Sequence, residues 1–277
     1  MIDLHLHSTA SDGSDAPEDI PGLAAAAGCR AVALTDHDTL DGIATARAAS
    51  AGTGVEVVAG CELSCQHGGT MHVLVYFVEP GEGPLQDELA RLQRIRDDRN
   101  RAMVERLRQA GISVTYQDLL DEAGGRGAGR PHAAALLVRA GAATSIQDAF
   151  DRWLAKGRPG YVDKERLGPG EALGLARASG GVAVLAHPLS LGLDGAGLGA
   201  AAAELSGLGL AGIEAHYGRY GPQERDALVE LAGEHGLVAT GGSDYHGTYK
   251  PDLGVGVGRG DLHVPEEALD ALRARRP

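Results

Sequence analysis

Cysteine is scarce in this 277-residue chain: there are three, Cys29, Cys61 and Cys65. An odd, small count argues against a disulfide framework. Cys61 and Cys65 lack the second pair of thiols that a sulfur-rich metal site uses, and read as small residues in or after a strand. No run approaches the roughly 20 consecutive apolar residues of a membrane-spanning helix. Met1-Ile2-Asp3-Leu4-His5 enters a patterned segment with no basic stretch ahead of it, so no secretory leader is expected and the cytoplasm is the expected compartment. No G-x-G-x-x-G follows the first strand, which removes the usual dinucleotide fingerprint. No G-x-S-x-G elbow is present, which disfavours a Ser-His-Asp hydrolase.

Apolar residues make up 43% and charged residues 23%, as expected of a chain with a packed core rather than a disordered one. The net charge of −13 disfavours a binder of long nucleic acid, and no membrane partner is expected. That charge is unevenly spread. Residues 91–166 hold 15 Lys and Arg against 10 Asp and Glu, a net of +5, leaving 10 against 28, a net of −18, for the remainder. An acidic shell suits a cluster of cations, and a basic segment beside it suits an anionic substrate.

Short β-branched runs alternate with alanine-rich stretches of helical length. Strands are predicted at Ile2–His7, Ala31–Asp36, Val55–Ser64, Met71–Val78, Val182–Ala186, Gly212–His216 and Leu237–Thr240. Helices are predicted at Pro17–Ala27, Asp41–Ala51, Pro169–Ser179, Ala196–Ser206 and Pro222–His235. This alternation predicts an α/β fold with a largely parallel sheet, a closed barrel being the first expectation and an open doubly wound sheet the second. The rhythm breaks between Pro84 and about Glu165. Leu85, Leu89, Leu92, Met103 and Leu107 mark one long amphipathic helix. Shorter helices are predicted at Gln117–Ala123, Pro131–Ala140 and Ser145–Leu154, with a glycine-rich link at 124–129. The reading is a barrel formed by 1–85 and 165–277 with a helical insertion at 86–164. The glycine-rich stretch Leu191–Gly199 is expected to be a loop.

Seven of the 11 histidines, His5, His7, His37, His72, His187, His216 and His246, lie in or at the end of an apolar strand. His67, His235 and His263 fall in loops or at a helix end and carry no expectation. His5 and His7 share one face of their strand. Thr35-Asp36-His37-Asp38, Cys61-Glu62, His187-Pro188 and Ser243-Asp244-Tyr245-His246 each end a strand, where parallel βα folds gather functional residues. Imidazole and carboxylate without thiolate point to Mn²⁺, Fe²⁺ or Zn²⁺, with Mn²⁺ expected first. So many ligands imply two or three ions, with Glu62 able to bridge two of them.

The series His5-x-His7, Asp12, Thr35-Asp36-His37, Glu62, His72, Ala186-His187-Pro188 and Gly242-Ser243-Asp244-x-His246 resembles, in order, the motifs of the polymerase and histidinol phosphatase (PHP) superfamily. The resemblance covers about 1–85 and 165–277. It implies a distorted (β/α)₇ barrel with three metals at the C-terminal strand ends. By that resemblance one ion takes His5, His7, Glu62 and Asp244; a second takes Glu62, His72 and His187; a third takes Asp12, His37 and His246. Many members carry His where this chain has Asp12. Gly129-Arg130-Pro131-His132 opens a predicted helix, whose N-terminus attracts phosphate, and Arg130 offers a bidentate fork. The insertion, this sequence and Asp12 together resemble the nucleotide-phosphatase subgroup. Members of that subgroup remove the 3′-phosphate of nucleoside 3′,5′-bisphosphates, and some trim short RNA from its 5′ end. Arg130 and His132 would then grip the 5′-phosphate.

The expected chemistry is in-line attack on phosphorus by a metal-activated hydroxide, without a covalent intermediate. His187 is expected among the catalytic ligands. Asp36 and Asp38 are expected to orient His37, and His216 to protonate the leaving alkoxide. Two rivals remain at this stage: a phosphatase for another small monoester such as histidinol phosphate, and a non-catalytic metal-binding module.

Overall fold

The computed structural model describes all residues except 68–69, 125–126 and 164. Seven strands, β1 (Ile2–Leu6), β2 (Ala31–Leu34), β3 (Glu56–Cys65), β4 (Met71–Tyr76), β5 (Val182–Leu185), β6 (Gly212–Tyr217) and β7 (Val238–Gly242), pair in sequence order. At the upper rim the Asp244 N–H donates to the His5 carbonyl at 2.9 Å and the His7 N–H to that of Tyr245 at 3.0 Å. These bonds bring β1 against β7 and make a barrel rather than an open sheet.

The barrel departs from the predicted parallel pattern at one strand. β4 runs antiparallel to both β3 and β5, in a register that sets His72 opposite Ser64. The reversal has a consequence for the site: His72, at the start of β4, reaches the same rim as residues at the ends of the other strands. Helices α1 (Ile20–Ala26) and α2 (Ile43–Ala49) follow β1 and β2. Among the described residues no helix is long and apolar enough to cross a membrane.

Between β4 and β5 the chain forms α3 (Pro84–Gln109), α4 (Tyr116–Glu122), α5 (Arg130–Arg139) and α6 (Ile146–Ala149), the last running into a π-helical turn at Phe150–Leu154. α3 starts at a proline, which lacks the N–H that a first turn cannot pair. It buries the apolar stripe read from the sequence. The stripe breaks at Arg99 and Asn100, which are as buried as the leucines. The remaining helices are α7 (Pro169–Ala178), α8 (Gly195–Gly207), α9 (Pro222–Glu234) and α10 (Glu267–Arg273). The expected loop over Leu191–Gly199 is replaced from Gly195 onward by the first turn of α8. There the Asp194 carboxylate accepts the Gly197 N–H at 2.8 Å, a cap that outweighs the poor helix propensity of glycine, and Leu198 begins a buried face.

Three apolar clusters hold the molecule. One lies between strands and outer helices, and includes Leu34, Leu63, Leu173 and Leu228. The second joins residues of the strands, among them Ile2, Leu4, Leu74 and Val184, to Leu269 and Leu272 of α10. The third is the insertion's own core, around Leu107, Leu119 and Leu137. Two β-bulges break the simple alternation of side chains. In β1 the register shifts between Asp3 and Leu6, so Leu4 joins the second cluster while Leu6, two residues on, joins the first. In β6 it shifts between Glu214 and His216. Bulges re-aim side chains in this way, at a local cost to the ladder.

Gly242 sits where β7 meets β1, and a Cβ there would lie 2.4 Å from the His5 Cβ. Gly242→Ala is therefore expected to cost about 1–3 kcal/mol of stability, as other overpacked positions do. Gly174→Ala in α7, whose added methyl meets nothing, should gain about 0.5–1 kcal/mol. Urea unfolding of the two variants checks both signs.

Candidate metal centre

The strand ends deliver nine of the sequence-selected residues to one place. The Glu62 carboxylate, 1% exposed, lies at its centre. Its Oε1 is 2.7 Å from His72 Nδ1 and 2.9 Å from His187 Nε2. Its Oε2 is 3.1 Å from His7 Nε2, 3.2 Å from His37 Nδ1 and 3.3 Å from His5 Nε2. Asp244 Oδ1 stands 3.5 Å from both His5 Nε2 and His7 Nε2 and 3.4 Å from His246 Nδ1. Asp12 Oδ1 is 3.4 Å from His246 Nε2 and 3.5 Å from His7 Nδ1, and its Oδ2 is 3.9 Å from His37 Nε2.

Among the described residues these contacts resolve into three groups able to hold a metal ion: His7, Asp12, His37 and His246; His5, His7 and Asp244; and His37, Glu62 and His72. Two observations test the fit. His37 Nδ1 is buried without a hydrogen bond, and the facing Nε2 atoms of His5 and His7 approach to 3.1 Å. Buried nitrogen lone pairs converging on carboxylate oxygens are the donor set of a borderline divalent cation. Among the described residues no thiol joins these groups, and burial pushes the Cys61 thiol far above its ordinary range.

The electrostatics agree. Burial alone would raise the Glu62 carboxyl, but His37, His72 and His5 hold it well below its usual range. Burial opposes ionisation of Asp12 and Asp244 too; His37 and His246 lower the first, and Lys250 and His5 the second. Burial and the neighbouring His246 press His7 towards its neutral form, the form that binds metal. His187 and Asp244 both have positive φ, 27° and 55°. Such backbone costs of order 1–3 kcal/mol per residue and persists where the surroundings impose it.

A layer of partners orients these side chains. Glu214, fully buried, lies 2.8 Å from His5 Nδ1 and accepts the His187 N–H at 2.7 Å. A carboxylate behind a ligating imidazole fixes its tautomer and raises its basicity. The Tyr217 hydroxyl donates to Asp244 Oδ2 at 2.6 Å, and Lys250 pairs with the same oxygen. Sequence reasoning passed over Glu214, Tyr217 and Lys250; the available signal for Glu214 was a lone acid inside the apolar run Gly212–His216.

Three expectations require correction. His216 does not join the cluster. The bulge in β6 leaves Glu214 and Tyr217 facing the site and turns His216 away, half-buried, with burial, Arg225 and His263 depressing its basicity. Asp36 does not orient His37: it accepts from Ser8 N–H at 2.8 Å, Ser8 Oγ at 2.7 Å and Ser11 Oγ at 2.6 Å, so it organises the loop that carries Asp12. Burial pushes its carboxyl up to about 6. Asp38 pairs instead with Arg96 of α3.

A cavity of about 300 Å³ opens above the cluster. Asp12, His37 and His72 line it together with Arg96, Arg99, Arg130 and Arg166, and with Pro131 and Phe150. Arg99 is buried, its Nε has no hydrogen bond, and burial together with Arg96 and Arg130 presses its guanidinium down to about 9. Arg130 lines this cavity as the sequence suggested. His132 does not: its Nδ1 accepts the Gly129 N–H at 3.0 Å, capping its own helix, and its ring packs edge-on against Tyr249.

The sequence profile of the PHP domain matches residues 3–156. A 3′,5′-nucleoside bisphosphate phosphatase of Chromobacterium violaceum is 33% identical over 247 residues, 88% of this chain and 87% of that one. The 5′-3′ exoribonuclease Rnm of Salmonella typhimurium is 33% identical over 89% of this chain and 85% of its own. A phosphoribosyl 1,2-cyclic phosphate 1,2-diphosphodiesterase of Eggerthella lenta is also 33% identical, over 89% and 94%. A solved Bifidobacterium adolescentis protein assigned as a metal-dependent phosphoesterase superposes with a TM-score of 0.88 at 29% identity, over 100% of this chain and 96% of its own.

Because the cluster gathers buried carboxylates that a cation would neutralise, metal should stabilise the fold. At a concentration 100-fold above its dissociation constant, one ion contributes about 2.7 kcal/mol. A chelator is expected to lower the thermal midpoint, and added Mn²⁺ to restore it; a midpoint indifferent to both would count against the cluster as a metal site.

Proposed function

The chain belongs to the PHP domain family and is a metal-dependent phosphoesterase; from that premise we propose that it removes the 3′-phosphate of nucleoside 3′,5′-bisphosphates and trims short RNA from its 5′ end. The observation that carries this reading is the arginine wall. Four guanidinium groups converge on one cavity, and the charge of Arg99 is destabilised by burial and then by its cationic neighbours. Like charges held together this way favour an anion between them. Candidate metal ligands line the same cavity, so a substrate with two phosphates can set one at the cluster and the other among the arginines. Phe150 and Pro131 add an apolar surface suited to a nucleobase, which histidinol phosphate would leave unused.

We assign His5, His7, Asp12, His37, Glu62, His72, His187, Asp244 and His246 as ligands of two or three divalent ions, Mn²⁺ first and Fe²⁺ or Zn²⁺ as alternatives. Residues 1–85 and 165–277 then form the metal-binding barrel, and 86–164 the substrate-binding insertion. When bound, the ions supply charge neutralisation at the phosphoryl oxygens and activation of a water. The protein's own groups do the rest. Arg130, with Arg96, Arg99 and Arg166, holds the 5′-phosphate and so places the 3′-phosphate at the cluster. Glu214 fixes the His5 ring and the His187 backbone, and Tyr217 with Lys250 holds Asp244. Ser8 and Ser11, through Asp36, set the loop of Asp12. His132 supports Arg130 by capping its helix.

Metal-loaded enzyme should hydrolyse a nucleoside 3′,5′-bisphosphate faster than a 3′-mononucleotide, a ribose cyclic phosphate or histidinol phosphate; equal rates on all would sink the two-phosphate reading. Arg130→Ala removes a charge-assisted contact of about 1.5–3 kcal/mol. It should raise KM for the bisphosphate by roughly tenfold to a hundredfold while sparing turnover of a monophosphoester.

A further inference from the structure

The candidate cluster is open on two sides. Besides the arginine-walled cavity, a second one of about 320 Å³ lies across His37 and Arg96 from it, and those two residues line both. Its other walls come from the loop after β2, through Thr39 and Asp41, and from α3, through Ala90, Gln93 and Arg94. Arg96 is fixed as the partition: its guanidinium pairs with Asp38, whose backbone stands at φ 54° and whose carbonyl accepts from Gln93 at 3.3 Å. At the base, Gly127 presses on the loop that carries Asp12, where a Cβ would meet the Ala10 carbonyl at 2.5 Å.

The two cavities differ in chemistry. The first carries four arginines, which suits phosphate. The second sets Arg94 and Arg96 among the carboxylates of Asp41 and Asp97, the Thr39 hydroxyl and the Gln93 amide, a mixture that suits the hydrogen-bonding edges of a nucleoside. Arg94 stands exposed beside it and makes no hydrogen bond or ion pair among the described residues, free to meet a further phosphate.

Resting on the two-phosphate reading above, we propose that the second cavity is the subsite for the nucleotide that follows the scissile phosphate in a short oligonucleotide. The 5′-terminal nucleotide lies in the arginine cavity, its 3′-phosphate at the cluster and the next nucleoside beyond the Arg96 partition. The oxygen of water bonds to phosphorus, the bond from phosphorus to the 3′-oxygen of the first nucleotide breaks, and that oxygen takes a proton. The phosphate stays on the departing strand as its new 5′-phosphate, so the shortened strand presents the same end to the arginine cavity. A nucleoside bisphosphate undergoes the same step with the second cavity unfilled.

The test compares two substrates on metal-loaded enzyme: a nucleoside 3′,5′-bisphosphate and a 5′-phosphorylated RNA trinucleotide. Ala90→Trp obstructs the second cavity from an exposed helix position, and Arg94→Glu reverses the charge at its edge. Both are expected to lower kcat/KM for the trinucleotide at least about tenfold and to change that for the bisphosphate by less than about twofold. Affinity for a trinucleotide with a non-hydrolysable first linkage should fall in parallel. Equal losses on both substrates, no loss on either, or a parent enzyme that leaves the trinucleotide intact would overturn the subsite. A parent enzyme that cleaves the trinucleotide but not the bisphosphate would overturn the bisphosphatase reading and leave the subsite standing.

Discussion

The Glu62 carboxylate has five imidazole nitrogens within 3.3 Å and is almost sealed from water. A lone carboxylate in such a place would be prohibitively costly. It survives because each imidazole comes from a different point of the barrel rim, and none can be supplied by a neighbour in sequence except the His5–His7 pair. The barrel's closure between β1 and β7, the bulge in β1 and the reversed β4 all serve that convergence. Asp3 illustrates the dependence: its buried carboxylate accepts N–H groups of Ser243 and Gly256 at 2.8 and 2.7 Å, tying the chain's two ends together beneath the cluster.

Charge is layered across the site. The floor is carboxylate and imidazole, the roof is guanidinium, and the segment that supplies the roof is the one with an excess of basic residues. A divalent cation matches the floor and a phosphate matches both surfaces. Neither layer is self-sufficient, since the floor crowds buried carboxylates and the roof crowds cations.

Much of this could be read from the sequence, for a definite reason. Metal ligands cluster at strand ends, and each end here carries a residue type with few other uses in an apolar run. The helical insertion was visible because Leu85, Leu89, Leu92, Met103 and Leu107 repeat at helical spacing. What escaped was governed by geometry that spacing does not encode. The alternation that placed His216 beside Glu214 fails at a bulge, which no residue in Gly212–Tyr217 announces. Asp36 lies next to a candidate ligand in sequence, yet its hydrogen bonds go to Ser8 and Ser11, set by the pairing of β1 with β2. Arg96 and Arg99 were part of a basic segment and not singled out, because only the packing of α3 against the rim brings them to the cavity. The direction of β4 could not be inferred from its composition, since parallel and antiparallel strands draw on the same residues.

That reversed strand also fixes how the chain must assemble. β4 ends at the bottom of the barrel, while β5 must begin there and pair with it across 105 intervening residues. α3, at 26 residues and about 39 Å long by its rise, carries the chain back to the mouth, where Arg96 and Arg99 line the cavity, and its last turns pack into the insertion's own core. His72 and His187 therefore meet only after the longest loop in the molecule has closed, an entropic cost that grows slowly with length but delays non-local pairing. The half of the site built from β1 to β4 is local and can form early. The half built from β5 to β7 brings His187, Asp244 and His246, so the candidate cluster stays incomplete until β7 has closed against β1.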